Sequence, residues 1–230
     1  MLQEIKVLSF DLDDTLWPCH PTIQYAENLL YQWLAEHVPV ITQHYDSDQL
    51  REKRRSLLDS HIELAHDLTR LRIKSFEQLS EEFDLAPDWI DPAFEIFYEA
   101  RQQVALYDDV KPVLDELNKT FQLVSLTNGN ADPVKSGIDH WFDFSLNSAS
   151  VGKLKSEPDI YWQVQKRANI EPRQMVHIGD HPLQDVSGAK SAGVFAIWLN
   201  REQKPWTLEY CQPDAVISSL YELPAILTKL

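Results

Sequence analysis

Acidic side chains follow the first apolar segment of the chain. Residues 5–10 predict a buried strand, and Asp11, Asp13, Asp14 and Thr15 come directly after it. Ligands of open parallel sheets bind outside the carboxyl ends of the strands. Asp11 and Asp13 flank one residue, so the pleat would send both the same way if the strand continued. Because close carboxylates repel each other unless a cation lies between them, a bound metal is the economical explanation. An acidic turn that caps a helix is the alternative.

A second polar segment follows the strand predicted at residues 121–126. Thr127 supplies a hydroxyl, and Asn128 and Gly129 supply successive backbone amides. Amides in such a turn can hold phosphate oxygens, and a helix expected near Ala131 would add the positive end of its dipole. An ordinary Asn-Gly turn is the alternative.

A lysine precedes the helix predicted at residues 158–168. Lys155 lies close to the positive end of that helix dipole, which is unfavourable unless an anion is nearby. Its position therefore indicates an anionic partner. Lys153 is a competing candidate, and a solvated surface lysine is the alternative.

Two further acids follow the strand predicted at residues 175–178. Gly179 permits a tight turn, Asp180 lies at the strand tip, and Asp185 falls in the first turn of the next predicted helix. Such a pair suits Mg²⁺, which prefers oxygen ligands. Helix capping and dipole pairing by the two acids are the alternative. His177, inside the strand, is expected to be a core histidine.

Parallel strands are needed to bring these four polar segments together. After residue 107, short apolar segments alternate with helical patterns, which predicts βαβ units and a parallel sheet. Strands are predicted at residues 5–10, 121–126, 144–146, 175–178, 194–198 and 215–217. Helices are predicted at residues 110–119, 158–168, 183–192 and 219–227. The expected fold class is α/β, with a Rossmann-like core and a parallel sheet.

Residues 17–106 have a different pattern. Apolar residues recur there at helical spacing, and helices are predicted at residues 23–37, 50–64, 75–83 and 91–104. We therefore expect a helical domain of residues 17–106, inserted into an α/β core formed by residues 1–16 and 107–230.

Composition excludes several classes of partner. The 230 residues carry a net charge of −15, which disfavours nucleic acid and anionic membrane surfaces as partners. Cys19 and Cys211 match no disulfide or metal framework, so reduced thiols are expected. No apolar stretch approaches the length of about 18 residues that a membrane span needs. A cytoplasmic location is expected, and the oligomeric state is left open.

The four motifs, in this order, resemble the haloacid-dehalogenase superfamily of phosphohydrolases. They occur here as Asp11-Leu12-Asp13-Asp14-Thr15, Thr127-Asn128-Gly129, Lys155, and Gly179-Asp180 with Asp185. The helical insertion resembles the C1-type cap of that family, which would act as a lid. In the family the lysine motif usually continues Lys-Pro-Asp-Pro, whereas this chain has Lys155-Ser156-Glu157-Pro158 and so keeps the lysine and the second proline.

The resemblance implies a phosphatase that acts on a small phosphorylated metabolite. Asp11 would be the nucleophile that forms an aspartyl phosphate, and Asp13 would be the general acid and base. The phosphoryl oxygens would be held by Thr127, the amide of Asn128, and Lys155.

The same resemblance implies Mg²⁺ as the cofactor. Its ligands would be Asp11, the backbone carbonyl of Asp13, and Asp180, with Asp185 in support. Asp14 is assigned to the turn.

A closer resemblance is to the bacterial flavin mononucleotide (FMN) phosphatase subgroup. Residues 66–78, 127–133 and 141–144 are similar to it, which implies FMN or a related ribityl phosphate of riboflavin metabolism as substrate. Arg70 and Arg72 are the candidate substrate contacts in the cap, with surface arginines on a helix as an equal alternative.

Other functions remain open. A sugar-phosphate or nucleotide phosphatase, or a phosphomutase, would keep all four motifs. A dehalogenase of this superfamily normally lacks the second acid, Asp13, and needs no metal. A non-catalytic binding module would be expected to lose a site residue, and a phosphorylated receiver domain would lack the helical cap.

Overall fold

The computed structural model describes residues 4–230 and contains a six-stranded parallel sheet. Its strands are β1 (Val7–Phe10), β2 (Gln122–Thr127), β3 (Phe144–Asn147), β4 (Met175–Gly179), β5 (Phe195–Leu199) and β6 (Ala215–Ile217). Their order is β3-β2-β1-β4-β5-β6, with every pairing parallel. The predicted α/β fold class is confirmed. The chain order reverses between β1 and β4, and ligands of open α/β sheets bind at such a switch point.

The chain divides into two compact units. The core unit comprises residues 4–18 and 105–230, and the helical unit comprises residues Cys19–Val104. The helical unit therefore begins and ends two residues inside the limits expected from the sequence.

The helical unit contains α1 (Cys19–His37), α2 (Pro39–His44), α3 (Ser47–Ser60), α4 (Leu68–Glu82) and α5 (Ile90–Arg101). Its core is formed mainly by apolar side chains of α1, α4 and α5, among them Leu30, Phe76 and Phe97. Asp46 caps α3, because its side chain accepts the amide of Gln49 and the Gln49 side chain accepts the amide of Asp46.

The core unit adds α6 (Val110–Leu117), α7 (Ser148–Val151), α8 (Asp159–Ala168), α9 (Gly188–Ser191) and α10 (Leu223–Leu227). All residues of β1 and β4 are buried, because both faces of the central strands are covered. This burial explains their nearly continuous apolar sequence. Ser9 and His177 are polar exceptions, and they contact each other.

The segments after β2 and after β4 differ from the helices predicted there. Residues 133–137 form turns instead of a helix: one helical turn begins, in which the Ser136 amide donates to the Asp132 carbonyl, but it ends at Gly137, whose φ of 72° lies in the left-handed region. The expected helix dipole near Ala131 was therefore wrong. The helix predicted at residues 183–192 consists of a π-helix (Pro182–Ser187) followed by α9. Within residues 4–230, no helix combines the length and apolarity needed to cross a membrane.

Candidate active site

The loop after β1 carries Asp11, Asp13 and Asp14, and backbone hydrogen bonds fix its conformation. The Asp11 amide donates to the carbonyl of Ile178 at 2.9 Å, which ties the end of β1 to β4. Asp14 has a φ of 61°, in the left-handed region, and its amide donates to the carbonyl of Trp17. Asp14 thus lies in the turn, as expected. The condition under which Asp11 and Asp13 would point the same way is not met, because β1 ends at Phe10.

Three carboxylates meet at the switch point of the sheet. Asp11, Asp180 and Asp185 each offer an oxygen within 4.8 Å of the others. Thr15 Oγ1 lies 3.1 Å from Asp11 Oδ2 and 3.4 Å from Asp180 Oδ1, so it also links the two strand ends. The Asp13 carboxylate does not belong to this cluster, and metal binding through its backbone carbonyl stays a prediction.

Lys155 brings one positive charge into the carboxylate cluster. Its Nζ binds Asp11 Oδ1 and lies 2.7 Å from Asp185 Oδ1. The side chain is only 2% exposed. Burial opposes the charged form, but Asp11 and Asp185 outweigh burial and raise the pKa of Lys155 above its usual value. The ammonium is therefore charged at neutral pH and faces three carboxylates.

The pKa values of the three carboxyl groups diverge. Burial, together with repulsion from Asp185 and Asp180, raises the pKa of Asp11 well above its usual value despite Lys155. Burial and the Asp185 charge raise the pKa of Asp180 to about 7. Burial also opposes ionisation of Asp185, but Lys155 and His177 prevail and lower its pKa. Three carboxyl groups therefore share one ammonium, and ionising Asp11 and Asp180 is unfavourable until a further cation is present, as expected for a cation site.

Thr127 and Asn128 lie where β2 ends. Thr127 is buried, and its Oγ1 accepts the Gly129 amide at 2.9 Å. The Asn128 side chain accepts the Lys155 amide and donates to Gln184 Oε1, both at 2.9 Å. Asn128 thus connects the β2 loop, the lysine loop and the π-helix. The sequence does not reveal this role of the Asn128 side chain, because nothing in it shows that these three segments meet.

Two glycines permit the close packing of the site. A Cβ at Gly179 would lie 2.3 Å from Asp185 Cγ, and one at Gly188 would lie 1.8 Å from the Lys155 carbonyl oxygen. Neither contact is sterically possible. Glycine at these positions therefore lets Asp185 and the lysine loop approach the strand ends.

His177 is buried, as expected, but it also contacts the site. Its Nε2 lies 3.0 Å from Asp185 Oδ1, and its Nδ1 lies 2.8 Å from Ser9 Oγ. Burial lowers the pKa of His177, which favours the neutral ring. Since a carboxylate only accepts hydrogen bonds, Nε2 carries the proton and Ser9 donates to Nδ1. Ser9 and His177 are register partners of β1 and β4, a pairing that the sequence does not reveal.

The two candidate arginines of the helical unit lie in different environments. Arg72 is buried, binds Glu27 Oε1 at 2.7 Å and lies 3.2 Å from the centre of the Phe97 ring. Arg72 is therefore a buried, paired arginine and not the surface arginine of the alternative, and its contact with substrate stays a prediction. Arg70 is exposed and binds Glu77 Oε1 at 2.8 Å. Contact between Arg70 and substrate stays a prediction.

Comparison with known proteins agrees with this geometry. The haloacid dehalogenase-like hydrolase family matches residues 5–193. The chain belongs to this family. The phosphatase acting on 5-amino-6-(5-phospho-D-ribitylamino)uracil from Escherichia coli, YigB, is 29% identical over 205 residues, which cover 87% of this chain and 86% of the relative. The (S)-2-haloacid dehalogenase 2 of a Pseudomonas species is 27% identical, over 98% of this chain and 97% of the relative.

Solved structures include both kinds of relative. A structure described as 2-haloacid dehalogenase from Pseudomonas syringae pv. tomato DC3000 is 38% identical, with a TM-score of 0.91, over 98% of this chain and 99% of that chain. A haloacid dehalogenase-family phosphatase from Thermococcus onnurineus is 26% identical, with a TM-score of 0.69, over 97% and 98%. Family membership and the phosphatase relatives support a hydrolase of the phosphatase type.

Proposed function

We propose that this protein is a Mg²⁺-dependent phosphatase that hydrolyses small phosphate monoesters through an aspartyl phosphate on Asp11. The observation that carries the proposal is the separation of the two acids of the first loop. Asp11 lies in a carboxylate cluster with Lys155, whereas the Asp13 carboxylate is not one of the clustered acids and accepts a hydrogen bond from Trp17. A nucleophile and an acid/base group need such separate environments.

The residues present fit a magnesium ion. Three carboxyl groups share the site with one ammonium, and burial together with mutual repulsion raises the pKa values of Asp11 and Asp180. A bound cation would relieve that repulsion. The carboxylates of Asp11, Asp180 and Asp185 would hold the ion, together with the carbonyl of Asp13. When bound, Mg²⁺ offsets the negative charge between the nucleophile and the phosphate.

The chain supplies the nucleophile and the proton carrier. An Asp11 oxygen attacks phosphorus, the bond from phosphorus to the leaving oxygen breaks, and that oxygen takes a proton from Asp13. Water then attacks phosphorus, Asp13 takes a proton from it, and the bond to Asp11 breaks. Inorganic phosphate is released and both acids return to their starting states.

Phosphate is held by the other two motifs. The Thr127 hydroxyl, the Asn128 amide and the Lys155 ammonium would bind the phosphoryl oxygens as their charge redistributes. Asn128 and Lys155 are already tied together through the Asn128 side chain. A phosphoryl group bound at Asp11 would therefore meet donors whose positions are fixed in advance.

FMN or a related ribityl phosphate is the substrate class that we propose. The support is the resemblance to the FMN phosphatase subgroup and to YigB, which is named for a phosphoribityl substrate. A sugar phosphate or a nucleotide is the alternative within the same chemistry. The net charge of −15 favours a small metabolite over nucleic acid as the partner. A cytoplasmic location belongs to this proposal, and within residues 4–230 Cys19 and Cys211 form no disulfide.

A 2-haloacid dehalogenase is the second candidate function. It is favoured by the 38% identity to the structure described under that name. In such a reaction Asp11 would attack carbon and displace halide. Asp13 and the carboxylate cluster would have no role in that reaction. We therefore propose the phosphatase as the first candidate function.

Product release separates the two candidates. Purified protein would be incubated with FMN, ribityl, sugar and nucleotide phosphates and with 2-chloropropionate, each with Mg²⁺ or with EDTA. We expect phosphate release that needs Mg²⁺ and no chloride release. Chloride release without phosphate release would establish the dehalogenase instead. Turnover of a sugar phosphate only with a bisphosphate activator would indicate a mutase, and no reaction at all would favour a binding module.

A further inference from the structure

Trp17 donates a hydrogen bond to the acid/base residue from a fully buried position. Its Nε1 lies 2.9 Å from Asp13 Oδ1, and its side chain is inaccessible to solvent. We propose that Trp17 is a positioning residue that fixes the Asp13 carboxylate and determines which of its two oxygens carries the transferable proton. This inference rests on the proposed function, in which Asp13 is the acid and base.

Backbone hydrogen bonds of Trp17 and of the residue before it fix the position of Trp17. The Asp14 amide donates to the Trp17 carbonyl at 2.8 Å, and a parallel bridge pairs Asp13 with Trp17. Leu16, the preceding residue, donates its amide to Leu12 at 2.7 Å and accepts the Tyr107 amide at 2.9 Å. The indole N–H therefore points at Asp13 from a fixed backbone. A donor of this kind needs little ordering when the reaction begins.

Hydrogen-bond chemistry then assigns the proton to one atom. An indole N–H is a donor only, and the carbonyl oxygen of a carboxylic acid is a better acceptor than its hydroxyl oxygen, so the indole favours Oδ1 as the unprotonated oxygen of Asp13. The proton that Asp13 transfers is therefore on Oδ2. In the first step it moves from Oδ2 to the leaving oxygen while phosphorus bonds to Asp11. In the second step Oδ2 takes it back from the attacking water, and the indole keeps its own proton throughout.

The leaving group provides the test of this role. An alkoxide is a poor leaving group unless an acid protonates its oxygen as the bond to phosphorus breaks. Nitrophenolate is a stable anion and leaves with little help from an acid. Replacing Trp17→Phe removes the donor and keeps an aromatic ring. We expect kcat/KM for an alkyl phosphate to fall about tenfold and kcat/KM for p-nitrophenyl phosphate to fall about twofold or less. The ratio of the two values is the readout, because general damage to the fold lowers both equally.

Trp89→Phe is the matched control. Trp89 is also buried, and its Nε1 donates to Ser80 Oγ at 2.9 Å within the helical unit. The two substitutions delete the same atoms from similarly buried rings. We expect Trp89→Phe to lower the melting temperature but to leave the ratio of the two kcat/KM values unchanged.

Two further variants keep the test decisive. If Trp17→Phe does not fold, 3-benzothienylalanine at residue 17 preserves the ring shape without the N–H. In an Asp13→Asn background, adding Trp17→Phe should cause no further change in the ratio, since the two residues act as a unit.

Each outcome has a separate meaning. A selective loss on the alkyl phosphate supports the inference. An equal loss on both substrates, as a purely structural role would give, overturns it while leaving the phosphatase assignment intact. Absence of ester hydrolysis by the wild-type protein would overturn the proposed function and this inference with it.

Discussion

A buried group of charges in the core unit can be compared with one in the helical unit. In the core unit, Asp11, Asp180 and Asp185 surround the ammonium of Lys155 at the ends of β1 and β4. Three acids meet one base. Burial and mutual repulsion raise the pKa values of Asp11 and Asp180, so full ionisation of the group is unfavourable without a further cation.

The helical unit contains the opposite arrangement. Glu27 accepts from Arg54 at 2.5 Å and from Arg72 at 2.7 Å, and the Arg72 guanidinium stacks on the Phe97 ring. Burial alone would raise the pKa of Glu27, but the two arginines outweigh burial and lower it. This acid is therefore ionised, and its charge is satisfied within the unit.

The difference separates a structural ion pair from a reactive site. A buried carboxylate that is fully paired stabilises the fold, and its loss leaves unpaired charge behind. Carboxylates that raise each other's pKa cost stability until a cation arrives, and perturbed pKa values of this kind cluster at functional sites. Burial is common to both groups, so burial alone does not distinguish them.

The largest expected effect is the loss of turnover in Asp11→Asn. An amide is too weak a nucleophile to form the phosphoryl intermediate, so phosphate release should fall on the order of 10⁴-fold or more. Glu27→Gln is the control from the helical unit, and it should keep turnover within about threefold wherever it remains folded. Ordinary turnover in Asp11→Asn, measured as phosphate release with Mg²⁺, would contradict the nucleophile assignment.

The free energy of unfolding should depend more on the ion pair of the helical unit than on the carboxylates of the core unit. Glu27→Gln leaves the buried Arg72 and the partly buried Arg54 without their carboxylate and should lower the free energy of unfolding by about 3 kcal/mol. Asp180→Asn removes a repelling charge and should leave stability unchanged or raise it. Urea unfolding of both variants in EDTA tests this contrast. The comparison fails if Asp180→Asn is the more destabilised of the two.

Magnesium affinity should depend on the core unit alone. Asp180→Asn removes one predicted ligand and should weaken Mg²⁺ binding by about 10- to 100-fold, as measured by titration calorimetry on the resting protein. Glu27→Gln should bind Mg²⁺ as the wild-type protein does. Equal affinities of Asp180→Asn and wild type would remove Asp180 from the metal site.

The smallest expected effect is a pH dependence of the Glu27 contribution. The pKa of Glu27 is lower in the folded state than its usual value of 4.5, so its stabilising effect is complete above that value. It is lost as the pH falls through the lower, folded-state pKa. The difference in unfolding free energy between wild type and Glu27→Gln should therefore shrink below pH 4.5. A difference that grows on acidification would contradict the ionised pair.

Features that depend on strand ends could be predicted from the sequence. Apolar segments located all six strands, and parallel strands bring their carboxyl ends to one edge. Asp11, Asp180, Asp185 and Lys155 were therefore expected together, and the structure places them within one cluster.

Features that depend on register or on loop conformation could not be predicted. The contact of His177 with Ser9 follows from the pairing of β1 with β4. The contact of Trp17 with Asp13 follows from a turn with Asp14 in the left-handed region. Arg72 illustrates a third limit, since helical spacing did not show that its side chain would turn inward to Glu27.

The most direct test of the central claim follows the oxygen of water during a single turnover. Excess protein would be mixed with a phosphate monoester and Mg²⁺ in water enriched in heavy oxygen, and phosphate and peptides would be analysed by mass spectrometry. Because water attacks phosphorus in the proposed reaction, the label should enter the released phosphate and Asp11 should stay unlabelled. A second incubation would use 2-chloropropionate in place of the phosphate monoester. Label in Asp11 there would show that water attacks an aspartyl ester, as in a dehalogenase. That result, combined with unlabelled phosphate in the first incubation, would contradict the account.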